Sequence, residues 1–200
     1  MIFNMNKKFT FIIIDCQEDF VNPSGPMAVP NALDALDAIL RFMELQCDVI
    51  SDIVFTVDNH PIDHCSFKEN GGPWPDHCVA NTPGQKICNV LISTAKRLRI
   101  PFKIIKKGEH KNPEEYTAFH MSEIVDDQIV MKSKTDFALP KSNNFVVAGV
   151  AGDYCVLESI EDLAKVIGYE PITVLSDGVK SIDDGSTFEN FIIKNNIKTI

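Results

Sequence analysis

Short apolar runs recur along the chain at Phe9–Ile14, Ile53–Val57, Phe102–Ile105, Ile129–Met131, Phe145–Val150 and Ile172–Leu175. They are rich in Ile, Val and Phe and do not alternate with polar residues, which is how strands covered on both faces read. Between them, apolar residues return at intervals of three and four. Leu33, Leu36, Ile39, Leu40 and Met43 form one such stripe, and Ile87, Val90, Leu91, Thr94 and Leu98 a second. Val156, Leu157, Ile160, Leu163, Ala164 and Ile167 form a third, ending at Gly168, a residue suited to the position just past a helix. A last helix is expected within roughly 185–196. Strands alternating with helices predict an α/β fold: a three-layer sandwich with a six-stranded, mainly parallel, Rossmann-like sheet and helices on both faces. Residues 1–200 read as a single domain, with no internal repeat and no Gly/Ser- or Pro-rich linker.

Two stretches follow neither period. Asp58–Gly84 contains Pro61, Pro73, Pro75 and Pro83, the single tryptophan Trp74, and the pair Gly71-Gly72; Gly108–Asp127 is similarly irregular. Loops this long inside a compact domain are functional or disordered. The five histidines, His60, His64, His77, His110 and His120, all fall within these two stretches. Ligand-capable side chains gathered on loops after strands point to a site.

Composition narrows the partners. With 19 Lys and Arg against 28 Asp and Glu, the net charge is −9, which argues against nucleic acid and anionic membrane surfaces. No apolar run approaches the ~18 residues of a membrane helix, and the start shows no secretory signal pattern. The six cysteines follow no disulfide framework, a usage that fits a reducing cytoplasm.

Ligands of an open parallel sheet bind beyond the carboxyl ends of its strands, so the first polar residue after each apolar run carries the most information. These are Asp15, Asp58, Lys106-Lys107 and the turn Gly152-Asp153-Tyr154-Cys155. Cys155, where the third helix begins, reads either as a buried small hydrophobe or as a nucleophile whose pKa the helix N-terminus lowers. Asp15 reads as a cap, in competition with Asp19, or as a general base. Lys107 precedes Gly108 and reads either as a solvated surface lysine or, turned into the site, as a partner of Asp15; Lys106 reads as solvated. Asp58 and His60 are two residues apart and, with His77, make an open Asp/His/His ligand set suited to Zn, Fe or Mn. His64 would be a fourth ligand or would orient His60. A structural site built from His64-Cys65 and His77-Cys78 carries less weight, because adjacent residues rarely ligate one ion together.

These residues resemble a known family. Asp15-Cys16-Gln17-Glu18-Asp19-Phe20 is similar to the D-x-Q-x-D-F opening of the isochorismatase-like cysteine hydrolases. Asp58-Asn59-His60-Pro61, Trp74-Pro75-Asp76-His77-Cys78-Val79, and Lys107-Gly108 followed by Tyr116-Thr117-Ala118-Phe119 resemble the nicotinamidase branch more narrowly. Gly149-Val150-Ala151-Gly152-Asp153-Tyr154-Cys155-Val156 matches its nucleophile turn. The resemblance implies a triad of Asp15, Lys107 and Cys155, a cis peptide before Ala151, and an oxyanion hole from the N–H groups of Ala151 and Cys155. It implies a divalent metal, zinc first with Fe or Mn as alternatives, held by Asp58, His60 and His77 and orienting the pyridine ring of nicotinamide. His64 and Glu69 are the candidates for a fourth ligand, with His64 preferred. Phe20, Trp74 and Tyr116 match positions that border a flat aromatic substrate.

The implied reaction is hydrolysis of nicotinamide to nicotinate and ammonia through a cysteine thioester, in pyridine nucleotide salvage. The implied partner is this small molecule, and a homo-oligomer is compatible with the sequence. One alternative is another C–N hydrolase of the family acting on a ureido or carbamoyl substrate, whose members generally lack the Asp58/His60/His77 set. The other is an inactive metal-binding relative. Gly152 departs from the family by standing where a hydroxyl residue is common, which would loosen the turn.

Overall fold

The computed structural model describes residues 7–125, 128–133 and 144–200, with the side chains of 120–133 outside that description. In chain order its elements are β1 (Phe9–Ile14), α1 (Glu18–Val21), α2 (Ala32–Gln46), β2 (Ile50–Asp58), α3 (Asn89–Arg97), β3 (Phe102–Lys107), β4 (His120–Val125), β5 (Gln128–Ser133), β6 (Phe145–Val150), α4 (Leu157–Ile167), β7 (Ile172–Lys180), α5 (Ser186–Lys194) and β8 (Lys198–Thr199). A 3₁₀ turn lies at Lys68–Asn70, and a π-helical turn at Gly152–Val156 leads into α4.

Every residue of β1 is buried, and its side chains alternate between two cores. Phe9, Phe11 and Ile13 pack with Ile39 and Met43 of α2 and with Leu91 and Ala95 of α3. Ile12 and Ile14 pack with Ile160 and Leu163 of α4 and with Phe188 of α5. A strand apolar on both sides is stable only between two helical layers, which gives the three-layer sandwich.

Six strands form one sheet in the order β3-β2-β1-β6-β7-β8, and every neighbouring pair is parallel. The chain steps one way from β1 to β3 and the other way from β6 to β8. The reversal falls between β1 and β6, where an open sheet leaves a crevice at its carboxyl edge. Gly149 lies beside Ile14 there with φ +130, and a Cβ on it would overlap the Ile14 backbone, so glycine alone lets the two strand ends meet.

One expected strand belongs elsewhere. The Ile129–Met131 run sits in β5, which pairs antiparallel with β4 in a separate two-stranded sheet, Val125 opposite Gln128. Among the described residues, each of these strands pairs only with the other. The place left in the main sheet is taken by β8, two exposed residues pairing with β7, too short and polar to register as an apolar run. The irregular stretch from Gly108 therefore ends in a strand at His120, whose side chain is outside the description. Helix α4 does close at Gly168, with φ +77. All six cysteines are free, and no helix among the described residues is long and apolar enough to cross a membrane.

Candidate active site

The sheet brings Asp15, Asp58, Lys107 and Cys155 together from the ends of four adjacent strands. Asp58 and Lys107 are register partners in the parallel β2/β3 pair, so their side chains leave the sheet on the same face. Lys107 is 1% exposed, and its ammonium pairs with Asp58 while standing 3.0 Å from Asp15 Oδ2 and 3.6 Å from Cys155 Sγ. Burial disfavours this ammonium, yet the two carboxylates hold its pKa well above the usual lysine range. It is therefore a fixed cation joining two acids and a thiol.

Asp15 is fully buried and has φ +48, a left-handed conformation that aspartate tolerates. Its N–H and Oδ1 both engage Thr56 of β2: Thr56 Oγ1–H donates to Oδ1 at 2.6 Å and accepts from the backbone N–H at 3.2 Å. Burial raises the Asp15 pKa above the ordinary value, Asp58 adds to this, and Lys107 and Thr56 oppose it. Asp58 behaves differently. Burial works on it in the same sense, but Lys107 and His60 outweigh it and keep the carboxylate ionised well below the usual range. Gln17 fixes Asp58 by accepting its N–H at 2.7 Å and donating to its carbonyl at 2.9 Å.

Cys155 occupies the π-helical turn, where the N–H groups of Tyr154 and Val156 both donate to Ala151 O, at 3.2 and 3.0 Å. Such turns are frequent at functional sites. The Val150–Ala151 peptide is cis. Where the helix start alone argues for a lowered thiol pKa, burial pushes it well above the ordinary range; Lys107 opposes this, and Asp15 and Asp58 act with burial. Gly152 packs against Ser181, Val179 and Phe188, and a Cβ there would overlap the Ser181 hydroxyl. The space of a side chain is already filled, so the turn is not loosened.

On the far side of Asp58, one donor atom each from Asp58, His60 and His77 lies within 4.8 Å of the others. The Nδ1–H of His60 donates to Gly108 O at 3.0 Å and that of His77 to Pro75 O at 2.7 Å. A carbonyl can only accept, so each ring keeps a proton on Nδ1 and turns Nε2 toward the cluster. His60 Nε2 faces Asp58 Oδ2 at 3.5 Å. A carboxylate and two imidazole nitrogens converging in a buried pocket, with carbonyls orienting both rings, fit a divalent ion. Phe67, fully buried, stands edge-on to His60, His64 and His77 at centroid distances of 5.5–5.7 Å. His64 is buried and stacks on His60 at 3.9 Å, whereas Glu69 lies exposed on the 3₁₀ turn and His110 is exposed on its loop.

Phe20, Trp74 and Tyr116 line a cavity of about 30 Å³ that also reaches His77, Ala151 and Cys155. Trp74 Nε1–H donates to Tyr116 OH at 3.2 Å, and Tyr154 packs against both rings. The structure thus brings all of Asp15, Lys107, Cys155, Asp58, His60 and His77 to one crevice. Sequence reasoning missed Thr56, Gln17, Ser66 and Glu114. Only Gln17 carried a signal, as a polar residue following Asp15 inside the D-x-Q-x-D-F segment.

The model of the family described as Isochorismatase domain matches residues 10–192. The chain is 30% identical to the nicotinamidase of Saccharomyces cerevisiae over 88% of its own length and 89% of that protein. The crystal structure of the yeast nicotinamidase bound to the inhibitor nicotinaldehyde superposes with a TM-score of 0.79 at 26% identity, covering 96% of this chain and 98% of that one. The pyrazinamidase of Pyrococcus horikoshii in complex with zinc gives a TM-score of 0.75 at 28% identity, with coverages of 96% and 98%.

Proposed function

The chain belongs to the isochorismatase domain family, and from that premise we propose that it is a nicotinamidase, hydrolysing nicotinamide to nicotinate and ammonia through a thioester on Cys155. The observation that carries this reading is the convergence on Lys107 of Asp15 at 3.0 Å and Cys155 at 3.6 Å beside an aromatic-walled cavity. The names of the yeast and Pyrococcus relatives support the substrate class.

Phe20, Trp74, Tyr116 and Tyr154 bracket the flat ring and exclude water, with the carboxamide over Cys155. Asp15 takes the Sγ proton as sulfur attacks the carbonyl carbon; Sγ–C forms and the carbonyl electron pair moves to oxygen. The N–H groups of Ala151 and Cys155 receive that oxyanion. As it collapses, the C–N bond breaks and Asp15 returns the proton to the departing ammonia. Water then attacks the thioester and Asp15 again takes a proton; as Sγ–C breaks, Asp15 returns that proton to sulfur, and the acid formed leaves as nicotinate with its proton lost to solvent. The raised pKa of Asp15 suits this shuttle, because a stronger base is better matched to a buried thiol. Lys107 stays protonated throughout and balances the negative charge that passes between Asp15 and Cys155.

Asp58, His60 and His77 would hold a divalent ion, zinc by analogy with the Pyrococcus relative. Bound there, it would ligate the pyridine nitrogen and orient the ring. The proposed setting is the cytoplasm, in salvage of pyridine nucleotides.

The test is ammonia release from nicotinamide by zinc-loaded protein, with Cys155→Ala as control. Turnover in the wild type that vanishes in the variant is the expected result. Turnover that persists would reassign the nucleophile. Its absence in the wild type would move the substrate to the ureido or carbamoyl class.

A further inference from the structure

Behind the Asp58/His60/His77 cluster lies a second group of donors that the proposed reaction does not use. One donor atom each from His60, His64 and Glu114 lies within 4.8 Å of the others. His60 Nε2, His64 Nε2 and Glu114 Oε2 are buried, and none has a hydrogen-bond partner. Bare polar atoms in an interior are costly, so three at one point call for a shared partner.

Their chemistry identifies it. His60 carries its proton on Nδ1, toward Gly108 O. The Ser66 hydroxyl sits 2.7 Å from His64 Nδ1, and the Ser66 N–H points at the same atom at 3.3 Å. Both contacts of the His64 ring engage Nδ1, which leaves Nε2 bare. Two imidazole nitrogens and a carboxylate oxygen face one another at ligand spacing, the donor set of a divalent cation.

We propose that Glu114, flanked by His64, supplies a second carboxylate that holds the divalent ion at His60, in contact with it or across one water. This rests on the metal reading above and adds to it a residue from the β3–β4 segment, outside the Asp-x-His motif.

The experiment titrates Zn²⁺, and separately Co²⁺, into chelator-stripped protein by calorimetry, comparing wild type with Glu114→Gln. The variant is expected to bind roughly 10–100-fold more weakly, with a changed intensity of the visible Co²⁺ bands. Stripped Glu114→Gln is also expected to melt no lower than stripped wild type, since a neutral amide replaces an uncompensated buried carboxylate. A merely structural Glu114 would lower that melting temperature instead. Equal affinity and an unchanged Co²⁺ spectrum would overturn the proposal while leaving the metal at Asp58, His60 and His77. Wild type that takes up neither ion would overturn both, and the ammonia assay reports on the nicotinamidase reading separately.

Discussion

Replacing Lys107 by methionine removes the one charge that reconciles two buried carboxylates. The side chain keeps about its length and apolar stem, so packing changes little, but Asp15 and Asp58 lose a buried counter-ion that pairs with both. Removing one partner of a buried ion pair costs about 3–5 kcal/mol, because the other charge stays buried and unpaired. For a chain of 200 residues, that corresponds to a fall in melting temperature of about 6–20 °C. The measurement is thermal unfolding by circular dichroism in chelator, so that no bound ion compensates at Asp58, from pH 7.5 downward. In the wild type, the depressed Asp58 pKa contributes stability above its unfolded value, and this is lost as pH falls. In the variant both acids are left with raised pKa values, whose contribution is present at low pH and lost as pH rises. The gap between the proteins should therefore be widest near neutrality and shrink toward about pH 4, the range in which unperturbed aspartate titrates. Equal melting temperatures at pH 7.5, or a gap that widens on acidification, would refute the reasoning.

Two further substitutions probe how the site is held. Thr56→Val removes the 2.6 Å hydrogen bond that stabilises the Asp15 carboxylate; the Asp15 pKa should rise, and the acid limb of the kcat/KM profile for nicotinamide should move to higher pH. An unmoved limb would mean that Asp15 is not the group titrating. Gly108→Ala places a methyl group on the His60 ring at a backbone φ of +62, so it should lower stability by at least about 1 kcal/mol and reduce the zinc retained after dialysis. Full zinc content by elemental analysis would show that His60 does not depend on this close approach.

The sequence by itself determined what is local. Six-residue apolar runs and three-four stripes carry their own period, so the layers, most strands and the ends of α2, α3 and α4 were legible within a few residues. The polar residue closing each strand stood out for the same reason, which is how Asp15, Asp58, Lys107 and Cys155 could be named together. Only the tertiary structure decided what those residues touch. Thr56 meets Asp15 across 41 positions and Gln17 meets Asp58 across another 41, because parallel register joins distant segments and leaves no local period behind. Register also turns Lys107 toward Asp58 as well as Asp15. Burial acts against one reading of Cys155: its place at a helical start argues for a lowered thiol pKa, and desolvation pushes that pKa up. Glu114 was illegible for a related reason. On an irregular loop an acid reads as solvated, and only the folded chain shows it turned inward to two imidazole nitrogens that lack a hydrogen-bond partner.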